Sequence, residues 1–343
     1  MDIAVVTGPA SLVGGEAVRV FATRFDLVVG LGDRPRRQQP PNFRSHPVDL
    51  RDLAAVTGVL RDYGSDVRLV VHTAAHPGGD RGEELPSFET AALGTVNLLE
   101  AVRQHAPDAV FALESTVEVY GDVPNALPLV ETPTRWELDP GHPWHEHGVD
   151  ESMGLDRADR AFPAVPVLAA DLTAQDHARR LGMNVGVFRA GTVVGAEGRL
   201  GLLPTLVRDA VRGVPFTIRG HGGKQVRDVL DAADLVEMFW HFYRNPRPGA
   251  VYHAGGGRDR AGSVLEIIAE YEHLTGREVR FDYDPEPGYA DVRWWLTDTG
   301  RFRRDYPLWR PTRGLTDLLA AAHRYWSGVP KVVLDRGIGA GVE

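Results

Sequence analysis

Ile3-Ala-Val-Val-Thr-Gly-Pro-Ala-Ser-Leu-Val-Gly14 runs from a short apolar strand pattern straight into the start of a helix pattern. Ile3–Val6 is wholly apolar, as a strand buried on both faces requires, and a helical pattern follows around Ala17–Arg24. The connecting stretch from Thr7 to Gly14 is a variant of the G-x-x-G-x-x-G loop that keeps Gly8 and Gly14 and carries Ser11 in the middle place. Such a loop turns tightly and aims free backbone N–H groups, with the positive end of a helix, at a pyrophosphate. Gly8, Ser11, Leu12, Val13 and Gly14 are therefore candidate contacts for a dinucleotide. Ser11 either crowds the pyrophosphate or gives it one more hydrogen bond. Two glycines in a strand-to-helix turn also suit a connection that binds nothing, so the loop needs support from the rest of the chain.

The alternation that follows gives that support. Leu27–Leu31, Leu69–Thr73 and Val110–Leu113 repeat the buried-strand pattern, while Leu53–Tyr63 and Phe88–His105 repeat the helical one. A sixth strand over Val185–Phe188 follows a helical pattern from about Val167 to Leu181. Strands alternating with helices predict an α/β fold, a Rossmann-type doubly wound parallel sheet with right-handed crossovers. Beyond it the texture changes to mixed helix and short strand, with glycine-rich turns at Gly220–Gly223 and Gly255–Gly257. That part predicts a small C-terminal α/β substrate lobe. Residues 1–191 are expected to form the dinucleotide-binding domain, residues 192–336 mainly the substrate-binding lobe interleaved with it, and residues 337–343 a tail.

Composition narrows the class. At 343 residues, with 43% hydrophobic and 25% charged residues, the chain has ample material for a buried core. A formal charge of −9 argues against a nucleic-acid surface. The chain has no cysteine, which removes disulfides, thiolate nucleophiles and cysteine-ligated zinc together and fits a cytoplasmic protein. No basic leader and no long apolar stretch precedes the first strand, so neither a signal peptide nor a membrane span is expected.

Longer stretches carry a family likeness. Ser115-Thr-Val-Glu-Val-Tyr-Gly-Asp-Val-Pro-Asn125, Leu129–Asp139, His142–Asp150, Gly223–Asp228, Phe239–Tyr243, Val251–Gly257, Trp294–Asp298 and Tyr306–Trp309 follow one another almost to the C-terminus. They resemble the extended short-chain dehydrogenase/reductases of the NAD-dependent epimerase/dehydratase family, and within it the CDP-tyvelose (CDP-paratose) 2-epimerases. The resemblance implies a nucleotide-sugar substrate, an NAD that accepts a hydride from a sugar carbon and returns it, and a homodimer. The dimer would form through the helices near Phe88–His105 and Val167–Leu181. It also implies adenine contacts at Asp49 and Leu50, and close passage of the cofactor past the small residues Ala74 and Ala75. The position of the family's ribose-reading acid falls on Gly32, with Asp33 and Arg34 next. Asp33 suits a ribose hydroxyl and hence NAD; Arg34, Arg36 and Arg37 suit a 2′-phosphate and hence NADP, or simply solvate a loop. NAD is the expectation, with NADP left open. The asparagine of the family's N-x-x-G-T motif falls on Ala91.

The likeness breaks at the reacting groups. The family's Tyr-x-x-x-Lys pair falls on Pro163 and Val167, and neighbouring Phe162 has no hydroxyl either. Thr116 matches the family's hydrogen-bonding serine or threonine. Glu118, two residues on, points to the same side of an extended segment and is a candidate proton acceptor. Glu114 alternates with Thr116 as well, reaching the site or solvating a strand end, and Tyr120 reads as packing. On the substrate side, Arg227 matches a diphosphate-binding arginine, with ion pairs to Asp228 or Asp231 as the plain alternative. Thr192 and Arg293 are further substrate-binding candidates. The loop at Gly195–Leu202 reads as shorter than its counterpart, so CDP is not inherited with the fold. His142, His145 and His147 lack a fuller ligand signature, and no metal site is expected. Three readings stay open: a nucleotide-sugar enzyme with a rearranged proton-transfer group, a non-redox enzyme on the same scaffold, and an inactive dinucleotide-binding protein.

Overall fold

A computed structural model describes residues 1–33, 39–74, 84–156, 158–195 and 201–329. In chain order the strands begin with β1 (Ile3–Thr7), β2 (Leu27–Leu31), β3 (Phe43–His46), β4 (Val67–His72) and β5 (Val110–Thr116). A hairpin of β6 (Leu129–Glu131) and β7 (Trp136–Leu138) follows, then β8 (Asn184–Ala190), β9 (Thr192–Val194) and β10 (Phe216–Arg219). The last are β11 (Val226–Asp231), β12 (Ala250–Ala254), β13 (Ala261–Ser263) and β14 (Phe281–Asp284). The helices are α1 (Leu12–Phe21), α2 (Leu53–Tyr63), α3 (Glu84–Phe88), α4 (Gly94–His105), α5 (Ala164–Leu181), α6 (Leu202–Arg212), α7 (Ala232–Arg244), α8 (Val264–Thr275), α9 (Gly300–Asp305) and α10 (Leu315–Gly328).

Seven strands make one parallel sheet in the order β12-β8-β5-β4-β1-β2-β3, the doubly wound arrangement expected from the alternation. Alternate residues of each strand feed two cores. Ala4 and Val6 pack with α1 and α7 residues such as Val18 and Phe239, while Ile3 and Val5 pack with α2, α4 and α5 residues such as Leu60, Leu98 and Ala174. The seventh strand, β12, comes from beyond residue 191 and pairs with β8 along its whole length, so late chain completes the first sheet. The single helix expected over Phe88–His105 is interrupted: α3 and α4 are joined by a π-helical turn at Glu89–Leu93. A third core, built from α6, α8, α10 and short strands, forms the lobe.

One buried polar network fixes α5 against the sheet. Asp171 on α5 is fully buried and receives two hydrogen bonds from Arg189 on β8, at 2.9 and 3.1 Å, and one from the Ser115 hydroxyl at 2.7 Å. Arg189 also donates to the Tyr120 hydroxyl at 2.7 Å, and that hydroxyl donates to His253 Nε2 at 2.7 Å. His253 Nδ1 faces the Val149 carbonyl at 3.0 Å, which places the ring proton on Nδ1 and leaves Nε2 as acceptor. Burial pushes the His253 imidazole down to about 4, so it stays neutral near pH 7. Removing one partner of a buried pair leaves the other charge uncompensated. Asp171→Ala is therefore expected to destabilise the fold by about 3–5 kcal/mol, read as a lower urea midpoint; a loss below about 1 kcal/mol would show that the network does not hold α5.

Candidate active site

Beyond the C-terminal ends of β5 and β8 the sheet and the lobe enclose a cavity of about 640 Å³. β5 extends three residues past its expected end and carries Ser115 and Thr116 to the cavity edge. The chain then turns into a short 3-10 segment, Val117–Tyr120, whose first N–H groups are oriented by Thr116: its hydroxyl accepts the Glu118 N–H at 3.2 Å. Thr116 is buried, and the Glu118 side chain opens into the cavity with no hydrogen-bond partner on its carboxyl among the described residues. The surrounding walls raise the Glu118 carboxyl above its ordinary range; Arg227 opposes this and Asp291 reinforces it.

Thr192 and Arg227 line the same cavity, so four of the residues read from the sequence converge there. Arg227 takes neither Asp228 nor Asp231. Its Nη2 donates to Asp291 Oδ1 at 3.0 Å and its Nη1 to the Val226 carbonyl at 2.8 Å. Asp228 is buried and accepts from Gly257 N–H and the Thr297 hydroxyl, while Asp231 caps α7 and pairs with Arg313. Arg293 does not line the cavity. Its guanidinium lies over the Trp136 ring, 5.0 Å from the centroid, and donates to the Asn125 carbonyl at 2.7 Å. Gln225, inside the Gly223–Asp228 stretch of the family likeness, lines it too, as do Tyr289 and Asp291, which no sequence motif marks.

At Pro163 and Val167, where the resemblance puts the Tyr-x-x-x-Lys pair, the surroundings are apolar. Pro163 caps α5 without a side-chain hydrogen bond, Ala161 and Ala164 face the cavity, and Val167 is buried beneath in one apolar cluster with Val119, Tyr120 and Met153. Glu114 does not solvate a strand end and does not line the cavity. It is buried with no hydrogen-bond partner among the described residues, and desolvation pushes its carboxyl up to about 8. Tyr120 belongs to the network under the site, where burial pushes its phenol up to about 12. The histidine loop also lies off the cavity lining: His145 Nδ1 bonds the Leu138 carbonyl and His142 Nδ1 accepts the Trp144 N–H.

The Gly8–Gly14 turn is built as an anion cradle. Gly8 has φ +59°, and a Cβ on Gly14 would sit 2.1 Å from the Gly8 carbonyl oxygen, so the turn closes only with glycine there. Ser11 is the N-cap of α1; its hydroxyl accepts the Gly14 N–H at 3.0 Å and bonds Thr73 Oγ1 at 3.2 Å. The side chain therefore folds back onto the helix and the neighbouring strand end. The Leu12 and Val13 N–H groups, in the first turn, have no partner among the described residues and are available to a pyrophosphate. Asp33 is exposed at the end of β2. Asp49 is gripped by Arg51, which holds its carboxyl below the ordinary range, and the Leu50 carbonyl accepts from Asn97 at 2.9 Å. The Ala74 N–H donates to the Thr7 hydroxyl at 3.2 Å. Arg34, Arg36, Arg37 and Ala75 lie outside the described residues, as does most of the Gly195–Leu202 loop.

The family described as "NAD dependent epimerase/dehydratase family" matches residues 4–147 and 164–255, more than half of the chain. The chain belongs to this family. The family match breaks off before α5 and resumes at Ala164, so Pro163 falls in the interruption. CDP-paratose 2-epimerase of Salmonella typhi is 31% identical over 253 residues, covering 70% of this chain and 72% of the relative. A dTDP-glucose 4,6-dehydratase of Xanthomonas campestris pv. campestris is 29% identical, covering 87% of this chain and 83% of the relative. Among solved structures, MoeE5 in complex with UDP-glucuronic acid and NAD superposes with a TM-score of 0.74 at 26% identity, covering 95% of this chain and 98% of that one. UDP-glucuronic acid 4-epimerase from Bacillus cereus gives a TM-score of 0.76 at 21% identity, with 95% and 99% covered, and shows the shared fold.

Within this family fold Glu114 has a measurable signature. Below its unfolded value the proton is bound in both states; between there and about pH 8 the native protein keeps a proton that the unfolded chain has lost. Its contribution to stability is therefore lost as pH rises, by about 1.4 kcal/mol per pH unit. Glu114→Gln removes that dependence, so its urea stability should gain on the wild type steadily from pH 5 to pH 8. A constant difference over that range would contradict a proton-bearing Glu114.

Proposed function

We propose that the protein binds NAD across the Gly8–Gly14 turn and a nucleotide-linked sugar in the cavity, where Glu118 beside Thr116 moves the proton that a tyrosine moves in related enzymes. The observation that carries this reading is the convergence of Thr116, Glu118, Thr192 and Arg227 on one cavity. Family membership and the nucleotide sugars and NAD named for the related proteins support it. Leu12 and Val13 N–H groups would hold the pyrophosphate, with Asp33 toward the adenosine ribose; a bound NAD would supply hydride acceptance and return. Arg227 would hold the substrate's phosphates, its planar fork matching their oxygens. Thr116 would orient the reacting hydroxyl, and Glu118, a carboxyl unpaired among the described residues and raised above its ordinary range, would take its proton.

One observation favours a second reading. Where ribose-gripping redox chemistry uses a phenol and an ammonium, α5 begins at Pro163 and carries the buried Val167. Under that reading Glu118 takes a proton from carbon, and the product forms by elimination or epimerisation without net hydride transfer. Mass analysis of nucleotide released on denaturing the purified protein, together with titration by NAD and NADP, separates the two. Retained or tightly bound NAD supports the first reading, and no binding of either at millimolar concentration defeats it. Glu118→Gln keeps shape and hydrogen bonding, and turnover should fall roughly 100-fold under both readings. Wild-type turnover by this variant would remove Glu118 from the chemistry.

We further propose a homodimer and, from the cysteine-free composition, a cytoplasmic location. Leu85, Phe88 and Leu93 around the π-helical turn, and Phe162, Val165 and Leu172 on or beside α5, are exposed apolar side chains on neighbouring elements. Light scattering at micromolar concentration should give twice the chain mass, and a stable monomer would remove the proposal.

A further inference from the structure

The Arg227 guanidinium shares its cavity with two carboxyl groups, Asp291 and Glu118, and bonds only the first. Asp291 receives its Nη2 hydrogen bond at 3.0 Å and is held in place by several further contacts. Asp291 Oδ1 also accepts the Val292 N–H at 2.9 Å, and its carbonyl accepts from Asn125 Nδ2 at 2.8 Å. Its N–H donates to the Gly288 carbonyl at 3.0 Å, and His221 Nε2 lies 3.6 Å from Oδ2. The preceding residue, Ala290, sits at φ +57°, a left-handed conformation that a residue with a Cβ adopts only when its surroundings demand it. Residues 288–292 all line the cavity, so this constrained path brings Asp291 to Arg227.

Glu118 lines the same cavity as Arg227 and Asp291 and feels the charge of each, yet makes no ion pair or side-chain hydrogen bond among the described residues. A guanidinium has five donors and favours two-point contact with a carboxylate. Released from Asp291, Arg227 would find Glu118 as its partner in the cavity. An opposite charge within about 4–6 Å lowers a carboxyl pKa by roughly 1–3, which would leave Glu118 a much weaker base.

We propose that Asp291 is a positioning residue for this site: by engaging Arg227 it keeps the guanidinium off Glu118 and leaves the Glu118 carboxyl free to exchange a proton with a bound ligand. This rests on the reading of Glu118 as the proton-transfer group. The other charged groups around Glu118 are engaged elsewhere. Arg219 is largely exposed on β10, 3.9 Å from Asp284. Arg160 donates to the Val119, Ala158 and Leu155 carbonyls. His221 turns to Asp291, and Glu114 lies one pleat back along β5, outside the cavity lining. Ala161, Ala164 and Thr192 bring no charge to the opposite wall.

The test is a ¹³C NMR titration of protein labelled at the glutamate Cδ, with the Glu118 resonance assigned by its loss in Glu118→Gln. In the wild type Glu118 should titrate above the ordinary glutamate range. In Asp291→Asn the midpoint should fall by about one pH unit, a tenfold larger proton dissociation constant. In an Arg227→Gln background the same substitution should move it by less than about 0.3 pH unit, since only loss of the Asp291 charge itself then remains. Asp291→Glu keeps the charge that holds Arg227 and should stay within about 0.3 pH unit of the wild type. An unchanged or raised midpoint in Asp291→Asn overturns the proposal. If that variant does not fold, a fall of a full unit in Asp291→Glu overturns it equally, and an unmoved midpoint there supports it. The readout needs no substrate. Loss of turnover in Glu118→Gln with an unmoved Asp291→Asn midpoint sinks only the role of Asp291, whereas full turnover in Glu118→Gln sinks the reading on which it rests.

Discussion

The bidentate pair between Asp171 and Arg189 holds the rest of the site in register. Asp171 belongs to α5, Arg189 to β8, and the hydrogen bonds that complete the pair come from β5 through Ser115 and run on through Tyr120 to His253 on β12. Three adjacent strands and one helix thus share one set of buried polar atoms. Such a pair costs desolvation, and similarly sized apolar groups often match or exceed its stability. What it adds here is direction. A helix held only by Ala170, Ala174 and Ala178 against the sheet could slide by a turn; one held by a planar fork cannot. The network also supports the cavity floor, because Tyr120 stacks on Trp295, with centroids 5.5 Å apart, and Trp295 lines the cavity.

With α5 fixed, Pro163 and Val167 are fixed as well. Proline at the start of a helix lacks only an N–H that would have had no partner, and its fixed φ suits the helical turn it begins. Valine at 167 is buried where an ammonium would need water or a counter-charge. Both residues favour the folded helix, proline by its fixed backbone and valine by burial without charge. Beside that helix, the 3-10 turn after β5 packs Val119 and Tyr120 against Val167 and carries Glu118 at the cavity lining.

The central fold was legible because strand and helix periods are local signals, and the paired glycines of the first turn have one mechanical explanation. The site was legible only where a residue's role follows from its own strand. Thr116 and Arg227 sit at strand positions whose neighbours are fixed by the sheet. Glu114 and Glu118 show the limit: alternation assigns them one side, yet the strand ends between them, so one is sealed in the sheet and the other opens to the cavity. Arg293 and Asp291 show another. They are two residues apart in an irregular segment, and contacts with Trp136 and Arg227, far away in sequence, decide which one faces the cavity. No periodicity encodes that choice.

The seventh strand has a consequence for how the chain is made. β8 ends at residue 190, but its outer edge stays open until Ala250–Ala254 pairs with it. A chain leaving the ribosome therefore displays an unpaired parallel edge, and Tyr120 waits for His253, through the synthesis of some sixty further residues. Long-range parallel pairing of this kind folds slowly, and an open edge invites other strands. The first 191 residues, although they hold six of the seven strands, thus leave the sheet unfinished; the lobe's polypeptide must be made before that sheet can close.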